Sequence, residues 1–193
     1  MPTEALTSPP PDDERTLLLL GLLTAQDRHG YEINDFIERT LHHVISLKKA
    51  TAYQLLERLE SHGLIGSRVE QHGQRPNRRV YQITGAGRAR FGEMLRDQLA
   101  REEALILTGN VPVMFAENLT PGETLEALRR RLEGVEARLR LYDTYNLPCT
   151  VGVGLAMERI RVLTQADRDW LARTIARLER SAAQVPAGEA AGG

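Results

Sequence analysis

The sequence predicts a mainly α-helical protein in two parts, an N-terminal unit in which helices surround one β-hairpin and an α-helical C-terminal domain. Apolar residues recur at helical spacing through most of the chain. Alternation of period two is confined to two short runs, residues 64–70 and 79–83, with a Gly, Pro and Arg-rich stretch between them. From Leu125 to Tyr142 the apolar positions fall at alternating spacings of three and four, the pattern of a heptad stripe.

The segments follow in order. Residues 1–14, with the Pro9-Pro10-Pro11 run, show no helical period and are expected to be a disordered tail, as are the Ala and Gly-rich residues 181–193. Leu17, Leu18, Leu20 and Leu22 mark a buried helix ending near Ala25, and Gln26 to Gly30 reads as a turn. A second helix, Tyr31 to His42, carries Ile33, Ile37 and Leu41 at i, i+4 and i+8. A third, Lys49 to Ser61, sets Ala52, Leu55, Leu56 and Leu59 on one face and Thr51, Gln54 and Arg58 on the other, with Gly63 where a left-handed residue ends a helix.

Two strands follow, and His72 to Arg78 becomes the loop of a hairpin. Thr84 is placed to cap a helix expected from Gly85 to about Leu107. Residues 15–107 form one domain on this reading and residues 108–180 another. In the second, Pro121 opens a helix bearing Leu125, Leu128, Leu132, Val135, Leu139 and Tyr142. A last helix, Val153 to Arg180, carries Ile160, Leu163, Leu171, Ile175 and Leu178 on one side. These faces fit the seam of a dimer or the core of an intramolecular hairpin, and Trp170 belongs to whichever of the two it is.

Charge is distributed unevenly. The net charge of -1 conceals twelve Lys and Arg against seven Asp and Glu between Arg15 and Arg90. The basic half is where an anionic partner would bind. Helix, helix, helix, hairpin, helix is the order of a winged helix-turn-helix, and the arginines of the hairpin loop lie on the wing. Arg75, Arg78 and Arg79 then meet phosphates or the minor groove. Lys48 and Lys49, the only lysines in the chain, add phosphate contacts where the third helix starts and its dipole is positive. Thr51, Gln54 and Arg58 are placed to read bases in the major groove. Taken alone, an arginine-rich loop is equally well a solvated turn.

Three motifs in order, His29 to Ile33, Ala52 to Ile65 and Arg79 to Arg88, resemble the PadR family of bacterial transcriptional regulators over about residues 16–91. The resemblance implies a homodimeric repressor that binds double-stranded DNA at an inverted repeat, and it implies that Tyr53 is a DNA contact. Residues 105–180 resemble the longer helical C-terminal domain of the subgroup that includes virulence-gene activators, which implies dimerisation through those helices. Family resemblance also implies release from DNA by a small-molecule effector, as some members answer to phenolic acids or drug-like molecules. The rival reading is a winged-helix adaptor that binds protein instead of DNA, and a cationic wing argues against it.

Other chemistry finds no support. The longest apolar run, Leu17 to Leu23, is far short of the roughly 20 residues of a membrane span, and neither a signal sequence nor a disulfide framework is expected of a chain with the single Cys149. A cytoplasmic protein is expected. His42 and His43 are adjacent and would point about 100° apart on a helix, so no metal is expected. His29 orders a turn. No catalytic set or cofactor motif is present in the sequence.

Overall fold

The computed structural model describes residues 8–41, 45–70, 78–104, 108–145 and 150–184. The chain divides into two compact units, Met1–Ala104 and Leu105–Gly193.

In the first unit, helix α1 (Glu14–Ala25) starts at Asp13, whose carboxylate accepts the Thr16 N–H at 2.9 Å. It buries Leu19, Leu20 and Leu23 completely or nearly so. The expected disordered tail needs correction over residues 8–13. Asp12 lies 3.7 Å from both Arg90 and Arg101, so this segment is tied to helix α4 (Gly85–Ala100).

The expected turn after α1 contains a strand instead. β1 (Arg28–His29) pairs antiparallel with β3 (Arg78–Ile83), with Arg28 opposite Tyr81. The sheet therefore has three strands in the order β1-β3-β2, where β2 is Ile65–Glu70. β2 and β3 form the predicted hairpin, in register from Ile65 opposite Ile83 to Glu70 opposite Arg78. Helix α2 (Gly30–Phe36) follows β1 and widens into a π-turn over Ile37–Leu41, so the predicted second helix ends earlier as an α-helix. At its start the Glu32 carboxylate accepts the His29 N–H at 3.1 Å, and the His29 ring stacks on Tyr31, which gives His29 the structural part expected of it.

Helix α3 (Lys49–Ser61) has the predicted bounds and buries Ala52, Leu55, Leu56 and Leu59 against α1 and α2. Gly63 ends it at φ 69°, where the Leu64 N–H reaches back to the Leu59 carbonyl at 3.0 Å. Thr84 caps α4 by accepting the Gly87 N–H at 3.0 Å, as its position foretold. That helix stops at Ala100, well before Leu107, because Arg101 turns extended at ψ 125°.

In the second unit, a short helix α5 (Asn110–Met114) and a 3₁₀ turn (Ala116–Asn118) lead to α6 (Pro121–Asp143) and α7 (Val151–Gln184). Thr120 and Glu123 close a capping box around the start of α6. The expected disordered tail from Ser181 is corrected over its first residues, where α7 continues through Gln184 and Ser181 donates to the Arg177 carbonyl at 3.2 Å. Ser-Ala-Ala-Gln is compatible with helix, and the propagating turn carries it.

α6 and α7 pack antiparallel. Arg129 pairs with Glu179 at 2.5 Å, Arg131 with Asp167 at 2.9 Å and Arg168 with Glu136 at 3.6 Å, and Arg161 pairs with Asp143. The heptad stripe meets the α7 face within this hairpin. Val135, Leu171 and Ile175 are buried, while Leu125, Leu128, Leu132, Leu139, Ile160, Leu163, Trp170 and Leu178 are half-buried.

Candidate nucleic-acid interface

The site is built on α3 and the hairpin. α3 is amphipathic, so seating Leu55, Leu56 and Leu59 in the core turns Gln54 and Glu57 to solvent, with Thr51 and Arg58 half-exposed at their flank. Lys48 is the residue preceding the helix, and no side chain caps it. The first-turn N–H groups therefore stay available to an outside acceptor. Lys48 and Lys49 are both exposed and form no ion pair with the described residues. Two exposed ammonium groups thus stand at the positive end of a helix dipole, an arrangement that attracts phosphate.

Tyr53 is placed differently from Gln54. Its ring packs against the start of α2, so closely that a Cβ on Gly30 would lie 2.9 Å from it. The Cε1 edge and the hydroxyl of Tyr53 are therefore the parts beside Gly30, and the residue as a whole is half-buried.

The wing arginines do not form one set. Alternation along β3 places Arg79 on the same face as the buried Tyr81 and Ile83, toward α3. Arg79 Nη1 lies 3.4 Å from Glu60 Oε2. The Tyr81 hydroxyl, with the nearby Glu60 carboxylate, raises the guanidinium's pKa further. Burial pushes the Tyr81 hydroxyl up against the opposing pull of Arg79. Glu60 is also held by Ser67, whose hydroxyl donates to Oε1 at 2.5 Å. Arg75 and the side chain of Arg78 lie outside the described residues, as do Cys149, His42 and His43.

Two cations escaped the sequence reading. Arg68 on β2 donates to Asp27 at 2.8 Å and to Glu70 at 3.1 Å, which raises its pKa, and also to Gln82 at 3.2 Å. Arg28 stacks over the Phe36 ring, 5.2 Å from its centre. The alternation of β2 could have foretold Arg68's face, but Asp27 is too distant in sequence to have foretold its partner. Among the described residues no helix is long and apolar enough to cross a membrane, and no group of three His, Cys, Asp or Glu could hold a metal ion.

Comparison with known proteins agrees with this geometry. PadR of Bacillus subtilis in complex with operator DNA superposes with a TM-score of 0.72 at 20% identity, covering 84% of this chain and 98% of that one. The same protein in complex with p-coumaric acid gives 0.65 at 20% identity, with 86% and 98% covered. The virulence activator AphA of Vibrio cholerae gives 0.68 at 20% identity, with 87% and 99% covered. These likenesses are of fold, and they extend over the helical C-terminal region as well as the winged helix. An uncharacterised protein of Lysinibacillus sphaericus is 29% identical over 90 residues, 47% of this chain and 83% of its own. Residues 19–93 match the Transcriptional regulator PadR-like family, a family of regulators and not of enzymes. The matched residues lie in the N-terminal unit, from within α1 through the open end of α3 and the β2–β3 hairpin into α4, and it is there that the chain is similar to PadR-like transcriptional regulators.

Proposed function

We propose that the chain is a cytoplasmic, dimeric repressor that binds an inverted-repeat operator in double-stranded DNA and is released by a small organic effector. One observation carries the DNA contact. Lys48 and Lys49, exposed and paired with none of the described residues, flank an uncapped helix start, and Gln54 is exposed one turn further along. Lysines at that end hold a phosphate and set the register, and Gln54, with Thr51 and Arg58 at its flank, meets base edges.

Dimerisation is supported by the apolar surface left on the second unit. A groove of about 1370 Å³ is lined by Leu119, Leu128, Val135, Trp170 and Leu178 among others. Val111, Met114 and Phe115 on the neighbouring segment remain more than half exposed, at 66%, 67% and 59%. An apolar surface of that kind marks an interface, and a second copy is the occupant that a two-fold operator requires. The effector reading rests on the likeness to PadR, which was solved with p-coumaric acid.

Selection of the full chain against a pool of random duplexes tests the proposal. Enriched sequences should share two inverted half-sites whose centres are about 10 bp or a multiple apart. A pool that never departs from random would favour the adaptor reading instead.

A further inference from the structure

Glu60 sits in the last turn of α3, where three elements meet. Its Oε1 accepts the Ser67 hydroxyl from β2 at 2.5 Å, and its Oε2 faces Arg79 of β3 at 3.4 Å. Tyr81, two residues along the same face of β3 and 3% exposed, adds its hydroxyl to the surroundings that raise the pKa of Arg79. Glu57, one turn earlier, adds a second negative charge to the same guanidinium. The carboxylate is thus anchored by a hydroxyl and is 29% exposed, whereas the arginine that it faces is 49% exposed.

We infer that Glu60 is a specificity-determining residue that withholds Arg79 from nucleic acid and so lowers sequence-independent affinity. Binding to any duplex is driven by cations that replace the counterions of phosphate. An arginine already neutralised by a carboxylate releases few counterions. If it swings to a phosphate instead, it strands Glu60 beside a polyanion, so the carboxylate opposes binding in either arrangement. Lower affinity for random sequence at unchanged base contacts raises the ratio that decides whether an operator is found. This inference rests on the DNA-binding reading, and it reassigns Arg79 from a phosphate contact to a restrained residue.

Three variants of the full chain test it: Glu60→Gln, Arg79→Gln and the double variant. Gln retains the shape of Glu60 and its bond to Ser67, and thermal melts confirm that each variant is folded. Affinity for a random duplex is read between about 50 and 200 mM salt, where the slope of log K against log salt is about -0.9 per phosphate contact. Glu60→Gln should bind more tightly and steepen that slope by about 0.9. Arg79→Gln leaves Glu60 unpaired beside the polyanion and should bind no more tightly than the parent, and the double variant should lose the gain made by Glu60→Gln and return to the parent. No gain from Glu60→Gln, or a gain that persists without Arg79, would overturn the inference. The same variants eluted from immobilised heparin give an arm that needs no operator. Glu60→Gln should elute at higher salt than the parent, and the double variant with the parent. A chain that behaves so on heparin yet ignores duplex DNA would sink the DNA-binding reading while upholding the hold of Glu60 on Arg79.

Discussion

Gly87 lies directly beneath the backbone of Leu64: a Cβ at position 87 would stand 1.9 Å from the Leu64 carbonyl oxygen. That carbonyl accepts the Thr84 N–H at 3.1 Å, so the point where α4 begins is also where the end of α3 is stitched to it. Gly87→Ala should therefore push the helix off this seam and destabilise the N-terminal unit by roughly 1–3 kcal/mol, the usual penalty for overpacking. Urea denaturation measures it. A midpoint equal to the parent's would mean that the seam yields freely.

The start of α6 supplies a pH-dependent test. Hydrogen bonds from the Thr120 hydroxyl and N–H hold the Glu123 carboxyl below its ordinary range. A depressed folded pKa means that the carboxylate's contribution is complete above the ordinary glutamate range and is lost as pH falls through the lower, folded value. Parent and Glu123→Gln should differ in thermal stability at neutral pH and converge on acidification. A difference independent of pH would contradict this. Thr120→Ala removes the cap itself and should cost about 1 kcal/mol.

Local pattern accounts for much of the fold and for less of the site. α3 was legible to the residue because Ala52, Leu55, Leu56 and Leu59 repeat at helical spacing and Gly63 stops them. β1 was not, because Arg28 and His29 are two residues between turn formers, extended only by pairing with Tyr81 and Val80. The overrun of α4 to Leu107 has a similar origin: Arg101 to Ala104 are good helix formers, and nothing in their composition announces the extended backbone at Arg101. Lys48 and Lys49 were legible as an open cationic pair. The capture of Arg79 was half legible, since alternation from Arg79 to Ile83 puts it inward, but its partner Glu60 belongs to another element.

A chain ending after Arg101 retains α1 to α4 and loses the whole groove-bearing unit. It should be monomeric by light scattering at micromolar concentration, while the full chain is a dimer. A full dimer from the shortened chain would place the interface in the winged helix.

Gln54 is the exposed base-reading candidate on α3. Gln54→Ala should reduce the preference for operator over random duplex by roughly 1–3 kcal/mol at one base pair and leave the salt slope almost unchanged. Competition gel shifts separate the two quantities, and an equal loss on both duplexes would make Gln54 a backbone contact.

The salt dependence of duplex binding by the Lys48→Ala, Lys49→Ala double variant tests the central claim most directly. If both lysines neutralise phosphate at the head of α3, the variant should bind operator and random duplex more weakly by a similar factor, with the slope of log K against log salt shallower by about 0.9 for each lost contact. An unchanged affinity and slope, in a variant whose melting curve matches the parent, would show that the open end of α3 does not face DNA.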